Sequence, residues 1–471
     1  MGTIFSPVLN LLKRANRNAS VDARSYTESK APAQKSLCAA PSVNMHFETN
    51  GFVKACCHNS ENSLGKYPEQ TISEIWNSSA AESFRKQLNE HKFLSGCHVC
   101  AADYEGGHME EMPATHFEAF NRNQKYPTMM EFLLDNTCNL ECVMCTGYLS
   151  SSIRKNRDKL PPIQSPYDDK FIDQLQEFIP HLVEARFSGA GEAFSIGINF
   201  KIWEAIIATN PACQIVVQTN ATILNARAKD FLQRGNFKIG VSLDSLQKDR
   251  FEKIRVNASF DQVMKNIRYF SEYNKERNKV FNVCTCVMRN NWDELPDFIS
   301  FCNDIGARAV FHKVWSPAKF GLYNLPEKEL TNIYNQLSGY VCPSSTPLQR
   351  KNKLHYDYYV SVIKKWMLEA PHRQKNNTEV EHKSISELLQ YINIKLTDFI
   401  STQEIPEPEK IQLRDSCMYK IEAVTTLWKK EDEKRKMLIS LCLSHESDIL
   451  AYVKDQSIEK LYEMSVAATE I

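Results

Sequence analysis

The sequence has no excess of charge of either sign and no long apolar run. Lys plus Arg and Asp plus Glu each number 57 among the 471 residues, so the formal net charge is zero. Proteins that bind duplex nucleic acid usually carry a basic excess, and a transmembrane helix needs about 18 consecutive apolar residues. The apolar segment at residues 8–12 has no basic residue before it and no small-residue cleavage site close behind it, which argues against a secretory signal. We therefore expect a cytoplasmic protein with neither a nucleic-acid nor a membrane partner.

Cysteine, by contrast, is abundant. The chain has 15 cysteines, an odd number that excludes full disulfide pairing, and eight of them fall within residues 38–145. Clustered thiols in a chain without a secretion signal are typical of metal or cluster ligands in a reducing compartment. The remaining composition, with 42% hydrophobic and 24% charged residues, is typical of a globular protein.

The distribution of polar and apolar residues predicts four regions. Residues 1–37 are polar and predict a flexible N-terminal extension. Residues 38–125 form a Cys-rich segment, residues 126–320 alternate strands with helices, and residues 321–471 are mostly helical.

Six strand-like runs separated by amphipathic helices lie between residues 126 and 320. Parallel strands need such crossover connections, so the alternation predicts an α/β fold in which six βα units form an open or partial (β/α)6 barrel. The predicted strands are Met129–Leu134, Ala185–Ser188, Ile215–Gln218, Ile239–Leu243, Phe281–Met288 and Ala309–Val314.

Three helices have clear apolar periodicity. One is predicted to begin near Thr71 and to continue through Leu88. A second is predicted to begin with Ser259 as its N-cap, and a third follows Asn291.

The strongest motif is a C-x3-C-x2-C loop, formed by Cys138, Cys142 and Cys145, directly after the first barrel strand. Thiolates are soft ligands, and three on one short loop can bind three irons of a cubane [4Fe–4S] cluster. Because no fourth thiolate is near, one iron stays open to chelate a small molecule. The alternatives are three unrelated thiols or a structural zinc site, which favours four protein ligands in paired C-x2-C units.

Together with this loop, the strand ends resemble the radical SAM superfamily over about 190 residues, from Met129 to about Phe320. Residues 188–192 are similar to the family's Gly-Gly-Glu-Pro motif, and Thr219-Asn220 is similar to its Thr-Asn-Gly motif, with Ala221 in place of the glycine. The resemblance assigns binding of S-adenosylmethionine (SAM) to Gly189, Ala190, Gly191, Glu192, Thr219, Asn220, Ser242, Asp244 and Arg289.

The resemblance also implies a reaction. In this family the open iron chelates SAM, and reductive cleavage of SAM gives a 5′-deoxyadenosyl radical that abstracts a substrate hydrogen, while the protein orients the substrate. We expect the backbone at residues 189–192 to hold the methionine amino group. Ser242 and Asp244 are expected to contact the ribose, and Arg289 the methionine carboxylate. An electron donor such as flavodoxin or ferredoxin is implied as a partner.

A second cysteine set precedes the predicted barrel. Twelve residues separate Cys38 from Gly51, four separate Gly51 from Cys56, and a C-x2-C pair follows later. A glycine between two ligands permits the tight turn that returns the second thiolate to the same metal. This spacing resembles the first half of the SPASM auxiliary-cluster module in its shortened form, called twitch, although in most relatives the module follows the barrel. The resemblance implies an auxiliary [4Fe–4S] cluster on Cys38, Cys56, Cys97 and Cys100.

Two ambiguities accompany this second set. Cys57 is adjacent to Cys56 and is a spare or substitute ligand. A four-thiolate zinc site of the ribbon kind has the same spacing and stays an alternative.

Two further thiols share one predicted strand. Cys284 and Cys286 alternate and therefore lie on the same face. If that face lines the barrel, either thiol could give a hydrogen atom to a substrate radical. The alternative is that both are small buried hydrophobes. His312, on the last predicted strand, could reach the substrate or be an ordinary core histidine.

These patterns predict a radical SAM enzyme that modifies a peptide or protein, because auxiliary clusters of the twitch kind are frequent in peptide maturases. The alternative substrate is a sugar or another small molecule, which would be oxidised or epimerised. An alternative of another class is a scaffold protein with two zinc sites.

Overall fold

The computed structural model describes residues 36–443, except for residues 60, 106, 108, 110, 111, 121, 123, 124, 316, 403 and 404, together with residues 449, 450, 453, 458, 461, 462 and 465. The predicted extension at residues 1–37 lies outside the described residues, apart from Ser36 and Leu37, which are buried.

The described strands form one nine-stranded sheet in the order β3-β2-β1-β4-β5-β6-β7-β8-β9. Strand β1 and strands β4 to β9 each run parallel to their neighbours in that series, whereas β1, β2 and β3 pair antiparallel. The strands are β1 Asn44–Phe47, β2 Phe52–Lys54, β3 Gly65–Lys66, β4 Met129–Phe132, β5 Glu184–Phe187, β6 Gln214–Thr219, β7 Phe237–Ser242, β8 Phe281–Val287 and β9 Ala307–Lys313.

Helices connect the strands and cover the outer face of the sheet. The helices of the N-terminal and barrel regions are α1 Ala40–Val43, α2 Ile72–Trp76, α3 Ser79–Asn89, α4 His98–Glu105, α5 Ser151–Asn156, α6 Asp169–Leu175, α7 Gly197–Thr209, α8 Ala226–Arg234, α9 Lys248–Ile254, α10 Phe260–Glu276 and α11 Leu295–Asp304. The C-terminal helices are α12 Glu327–Ser338, α13 Pro347–Glu381, α14 Ile385–Ser401, α15 Glu407–Leu427 and α16 Glu431–Leu443. Short 3-10 helices span Pro113–Ala119, Ile179–His181 and Trp292–Glu294.

All six predicted barrel strands are confirmed, each with both ends within two residues of the prediction. Their apolar positions are buried against helices, as the ring contacts of Phe187 and Phe237 with Trp203 of α7 show, at 5.5 and 5.3 Å between centroids. The α/β fold with a parallel sheet follows from this alternation.

The helix predicted from Thr71 to Leu88 is wrong as a single element, because two caps divide it. The Thr71 side chain accepts the N–H of Glu74, and the Glu74 carboxylate accepts the Thr71 N–H at 2.8 Å, which starts α2. Ser78 then accepts the N–H of Ala81 and starts α3. Apolar spacing alone joins the two helices, whereas the second cap separates them.

The other two predicted helices start close to the expected residues. Helix α10 begins at Phe260, but the Ser259 side chain makes no capping bond, and the Phe260 N–H donates to a Glu252 carboxylate oxygen at 3.0 Å. The 3-10 turn after Asn291 precedes α11.

The Cys-rich segment continues the barrel sheet, an arrangement that the sequence did not predict. Strand β1 pairs in parallel with β4, with Asn44 opposite Met129, and all four β1 residues are buried. Asn44 Nδ2 donates to the Glu131 carboxylate at 2.9 Å, and His46 Nδ1 lies 3.1 Å from the same oxygen. The two thiol sets therefore lie beside strands of one sheet.

The C-terminal region is helical, as expected. Asn352 of α13 accepts the N–H of Ala309 at 2.9 Å and donates to the Ala307 carbonyl at 3.0 Å, so it pairs edge groups of β9. Helices α14 to α16 contribute to a separate apolar core that includes Leu388, Ile392 and Leu396. Among the described residues, no helix is long and apolar enough to cross a membrane.

Candidate functional site

Backbone hydrogen bonds hold the three-cysteine loop at the carboxyl end of β4. The N–H groups of Glu141 and Val143 donate to the carbonyls of Val256 and Ile254, at 3.1 and 2.9 Å. On the other side, the Ser152 hydroxyl at the start of α5 donates to the Cys138 carbonyl at 2.7 Å. The loop geometry is thus fixed by the protein itself.

The three thiols of this loop are not equally exposed. Cys142 is buried, whereas Cys138 and Cys145 are half-buried. Burial raises the pKa of Cys142 to about 11 and that of Cys145 to about 12, and the charges of neighbouring thiolates act in the same direction. Because the thiolate is the metal-binding form, these thiols need a positively charged partner, which iron would supply.

Arg255 is a candidate site residue that the sequence analysis missed. It follows α9 and is 7% exposed, with Nη1 3.9 Å from Cys142 Sγ and Nε 2.7 Å from Asp244 Oδ2. The other Asp244 oxygen accepts the Cys286 N–H at 2.7 Å. The signal for Arg255 was a basic residue a short helix beyond the Ser242–Asp244 motif, but only the tertiary fold brings it to the loop.

The segment similar to the Gly-Gly-Glu-Pro motif lies directly against the loop. Gly189 and Gly191 have φ values of +102° and +66°, which residues with side chains rarely adopt. A Cβ on Gly191 would stand 2.8 Å from the Thr137 carbonyl oxygen and 2.9 Å from that of Asp135. The glycine therefore permits close backbone approach, and the intervening Ala190 is buried.

Glu192 links the ends of β5 and β6. Its carboxylate accepts hydrogen bonds from the Thr219 hydroxyl at 2.5 Å and from the Asn220 N–H at 2.7 Å. Burial raises the pKa of Glu192, although these bonds oppose the rise. Asn220 Nδ2 lies 4.0 Å from Cys138 Sγ, and Ala221 has a φ of +59°, in the region that the family's glycine suits. The predicted residues at both strand ends are thus brought together beside the cysteine loop.

The lumen is the face of the barrel sheet opposite the helices. Because strand side chains alternate, the predicted Ser242, Cys284, Cys286 and His312 lie on the lumen face. Gln218 Nε2 donates to Ser242 Oγ at 2.9 Å, and Cys284 Sγ donates to Gln218 Oε1 at 3.6 Å.

Of the two lumen-face cysteines of β8, Cys286 is nearer to the cysteine loop than Cys284. Cys286 and the loop residues Val143 and Met144 pack against the same small buried cluster, and Cys286 is opposite His312 in the β8–β9 register. The His312 side chain is exposed to solvent, yet surrounding protein lowers its pKa by desolvation, a combination expected in a concave site.

The structure does not bring Arg289 to the loop in the same way. Its side chain is exposed, with Nε donating to the Gly321 carbonyl at 2.9 Å, and its backbone N–H donates to the Phe320 carbonyl. Asp244, expected to contact ribose, is buried and engaged by Arg255 and the Cys286 N–H.

The second thiol set lines one apolar pocket beside β1 and β2. Gly51 makes the expected turn, with a φ of +90° and with the Tyr67 carbonyl oxygen 2.2 Å from where a Cβ would be. Asn59 Nδ2 donates to Cys97 Sγ at 3.2 Å, and the Ala40 N–H donates to Cys38 Sγ at 3.3 Å. The four pocket-lining thiols are Cys38, Cys56, Cys97 and Cys100.

Cys57 has different surroundings. It does not line this pocket, its side chain is exposed, and the charges that act on its thiol include those of Glu131 and Arg186. Both of these residues lie on the lumen face, so the geometry favours Cys56 over Cys57 as the ligand.

The donor sets fit iron–sulfur clusters. In the described part of the chain, no three His, Cys, Asp or Glu side chains are close enough to share one metal ion. A cubane does not require this, because each thiolate binds a different iron. Burial raises the pKa of Cys97 to about 12 and that of Cys100 to about 11. These enclosed thiols therefore also need a positive partner to ionise.

Two family models match the chain. Residues 134–302 match the radical SAM superfamily, and residues 38–101 match the SPASM iron–sulfur cluster-binding domain. The two matches include all seven candidate thiolate ligands and imply a SAM-binding [4Fe–4S] cluster and auxiliary iron–sulfur binding.

Among curated proteins, the chain is similar to an uncharacterized protein of Methanocaldococcus jannaschii, with 25% identity over 233 residues, which are 47% of this chain and 75% of the relative. It is also similar to GTP 3′,8-cyclase of Helicobacter pylori, with 24% identity over 246 residues, which are 50% of this chain and 71% of the relative.

Among solved structures, native anSMEcpe with bound AdoMet has 16% identity and a TM-score of 0.33, covering 45% of this chain and 59% of that one. Streptococcus suis SuiB bound to precursor peptide SuiA has 11% identity and a TM-score of 0.35, covering 63% of this chain and 70% of that one. The match to anSMEcpe thus spans less than two thirds of that chain.

Proposed function

We propose that this chain, which belongs to the radical SAM superfamily and carries an N-terminal SPASM domain, modifies a peptide or protein bound in its barrel lumen. The observation that carries the proposal is the parallel pairing of β1 with β4, which joins the SPASM segment to the barrel wall. An auxiliary cluster held by this segment would lie beside the barrel wall, a position that suits an electron carrier for a substrate in the lumen.

The ligands follow from the two thiol sets. Cys138, Cys142 and Cys145 would hold the SAM-binding cluster, and the four pocket-lining thiols of the SPASM segment would hold the auxiliary cluster. When bound, the first cluster and SAM supply a 5′-deoxyadenosyl radical that abstracts a substrate hydrogen. The rest of the reaction depends on how the chain binds and orients SAM and the substrate.

Arg255, rather than Arg289, supplies the positive charge beside the loop. It is buried within 3.9 Å of Cys142 Sγ, and Asp244 fixes its orientation. A buried guanidinium binds a carboxylate more strongly than an exposed one, so Arg255 suits the anionic end of SAM. Arg289 is exposed and holds the turn at Gly321.

The lumen thiols are the chain's own hydrogen-atom donors. Burial raises the pKa of Cys284 to about 12, so this thiol keeps its hydrogen at neutral pH, and its bond to Gln218 fixes the direction in which the S–H points. Cys286 stands nearer to the cysteine loop. Of the two, we assign Cys286 as the donor that can meet a substrate radical; the thiyl radical left on Cys286 would be reduced back to the thiol by one electron from the external electron donor and one proton.

A small-molecule substrate is the second candidate. The observation that favours it is the similarity to GTP 3′,8-cyclases over about half of this chain, together with a lumen lined by polar and charged side chains. In this case the same loop, Arg255 and lumen thiols would act on a sugar or nucleotide.

The two candidates can be separated by the source of the abstracted hydrogen. The full chain is reconstituted anaerobically with iron and sulfide, then incubated with SAM, dithionite and either a deuterated peptide fraction or a deuterated small-molecule fraction of cell extract. We expect the 5′-deoxyadenosine formed in the presence of the deuterated peptide fraction to contain deuterium. Deuterium from the small-molecule fraction alone would overturn the peptide proposal and support the second candidate.

Two variants control this experiment. Cys142→Ala should give no 5′-deoxyadenosine with either fraction. Cys417→Ala removes a buried thiol of α15, outside both ligand sets, and should leave the product unchanged.

A further inference from the structure

Two basic side chains on the lumen wall have no acidic partner. Lys238 of β7 lies between Phe237 and Ile239, which are fully buried against the helices, so its side chain lies on the lumen face. Arg308 of β9 is on the same face, because Phe311 points outward to Phe298 of α11, with 5.9 Å between ring centroids. Within the described part of the chain, neither Lys238 nor Arg308 has an ion pair or a side-chain hydrogen bond.

The carboxylate that would be expected to balance Lys238 is already engaged. Glu184 of β5 forms an ion pair with Arg186 and also lies 3.7 Å from His116 Nε2. Burial lowers the pKa of Lys238; the charge of Glu184 opposes this effect, whereas the charges of Arg186, Arg308 and Lys279 add to it. Glu184 thus influences the pKa of Lys238 without forming an ion pair with it.

A hydrogen-bond acceptor without a donor lies on β8, the strand between those of the two cations. Asn282 of β8 is opposite Gly240 of β7 and Arg308 of β9 in the strand register. Its Oδ1 atom is buried and has no hydrogen-bond partner. Buried polar groups are normally paired, so a molecule in this part of the lumen gains by offering an N–H or O–H donor.

We propose that Lys238 and Arg308, with Asn282 between them, form a subsite that binds an anionic group of the substrate. A carboxylate or phosphate forms ion pairs with both cations, and a neighbouring N–H or O–H group of the substrate donates a hydrogen bond to Asn282 Oδ1. An N-acylated acidic residue carries both groups, so the subsite selects an acidic side chain of a peptide. This subsite rests on the proposed function, because it takes the lumen as the place of the substrate.

Chemical labelling of lysine tests the subsite without turnover. The reconstituted full chain is treated briefly with an amine-acetylating reagent at neutral pH, and labelled lysines are quantified by peptide mass spectrometry. We expect N-acetylglutamate or inorganic phosphate to slow the labelling of Lys238 by about tenfold, the effect of an anion that raises the lysine pKa by one unit. Protection by N-acetylglutamate alone assigns a carboxylate, and protection by phosphate alone assigns a phosphorylated substrate.

Matched controls decide whether the effect belongs to this site. Lys265 is an exposed lysine of α10, and its labelling should not change. N-acetylglutaminamide, which offers N–H donors but has no carboxylate, should not protect Lys238. Arg308→Gln should abolish the protection, and Arg308→Lys should keep it.

Three results would overturn the subsite: no slowing at Lys238 by either anion, equal slowing at Lys265, or protection by N-acetylglutaminamide. None of these depends on 5′-deoxyadenosine or on peptide modification. A failed subsite is therefore distinguishable from a failed proposal for the reaction.

Discussion

The two thiol sets of this protein differ in how they are built and in which side chains contact them. Cys138, Cys142 and Cys145 stand on one short loop, two of them half-buried, with Arg255 at 3.9 Å from Cys142 Sγ. The SPASM thiols come from three separate segments and line an apolar pocket, where an amide, Asn59, rather than a cation contacts Cys97.

This difference separates two tasks that a thiol site can have. A three-thiol loop beside a positive charge leaves room for an anionic molecule at the fourth iron. Four thiols in one apolar pocket would supply a ligand to every iron of a cubane and suit electron transfer. Removing thiols from one set at a time tests whether the two sets have these different roles.

The largest expected effect follows from Cys142→Ala. This change removes a thiolate from the open set, so uncoupled formation of 5′-deoxyadenosine from SAM and dithionite should fall below detection. Iron should fall from about eight to about four per chain, as two cubanes become one. Chromatography and an iron assay measure both, and product formation by the variant would show that this loop is not the SAM site.

The double variant Cys97→Ala/Cys100→Ala should have the opposite pattern. Uncoupled 5′-deoxyadenosine formation should persist, substrate modification should be lost, and iron should again fall to about four. Circular dichroism must confirm folding, because cluster binding and folding are linked. Wild-type substrate turnover by a folded variant would show that the auxiliary-cluster thiols have only a structural role.

Cys57 offers a matched control within the SPASM segment. Cys57→Ala should retain about eight irons, whereas Cys56→Ala should lose about four, because only Cys56 lines the pocket. The reverse result would show that Cys57, rather than Cys56, is the ligand.

A smaller effect, on the free energy of unfolding, is expected from the Arg255–Asp244 ion pair beside the three-cysteine loop. Arg255→Met leaves Asp244 buried and unpaired, which should lower the free energy of unfolding by about 3–5 kcal/mol. Adding Asp244→Asn should recover most of this loss. The exposed Arg234, paired with Glu204 and Asp230, is the control, and Arg234→Met should cost less than about 1 kcal/mol. Urea unfolding followed by tryptophan fluorescence measures both, and equal losses would mean that burial of the pair is unimportant.

The smallest effect concerns Ala221, at the end of β6. Its φ of +59° is unfavourable for a residue with a Cβ, so Ala221→Gly should stabilise the protein by up to about 1 kcal/mol. Ala228→Gly, within α8, should destabilise it by a similar amount. The same unfolding assay applies, and a loss of stability in Ala221→Gly would contradict the inferred strain.

Local pattern predicted most of the barrel. The six strands and their parallel order follow from apolar runs alternating with helices, and the C-x3-C-x2-C loop is visible in eight consecutive residues. The division of the helix after Thr71 was missed, because apolar spacing runs through Ser78 and only the capping bond breaks it.

The sequence by itself determined the thiol sets, the strand ends and the chemistry that they resemble, since each depends on residues that are near in the chain. Only the tertiary structure decided what joins them. Strand β1 pairs with β4 across more than eighty residues of sequence, Arg255 reaches Cys142 through the turn after α9, and Lys238 and Arg308 lie on the lumen face of two strands separated by β8. Such placements depend on the order of the strands and on how the connecting segments pack on the sheet, which no local pattern of polar and apolar residues specifies.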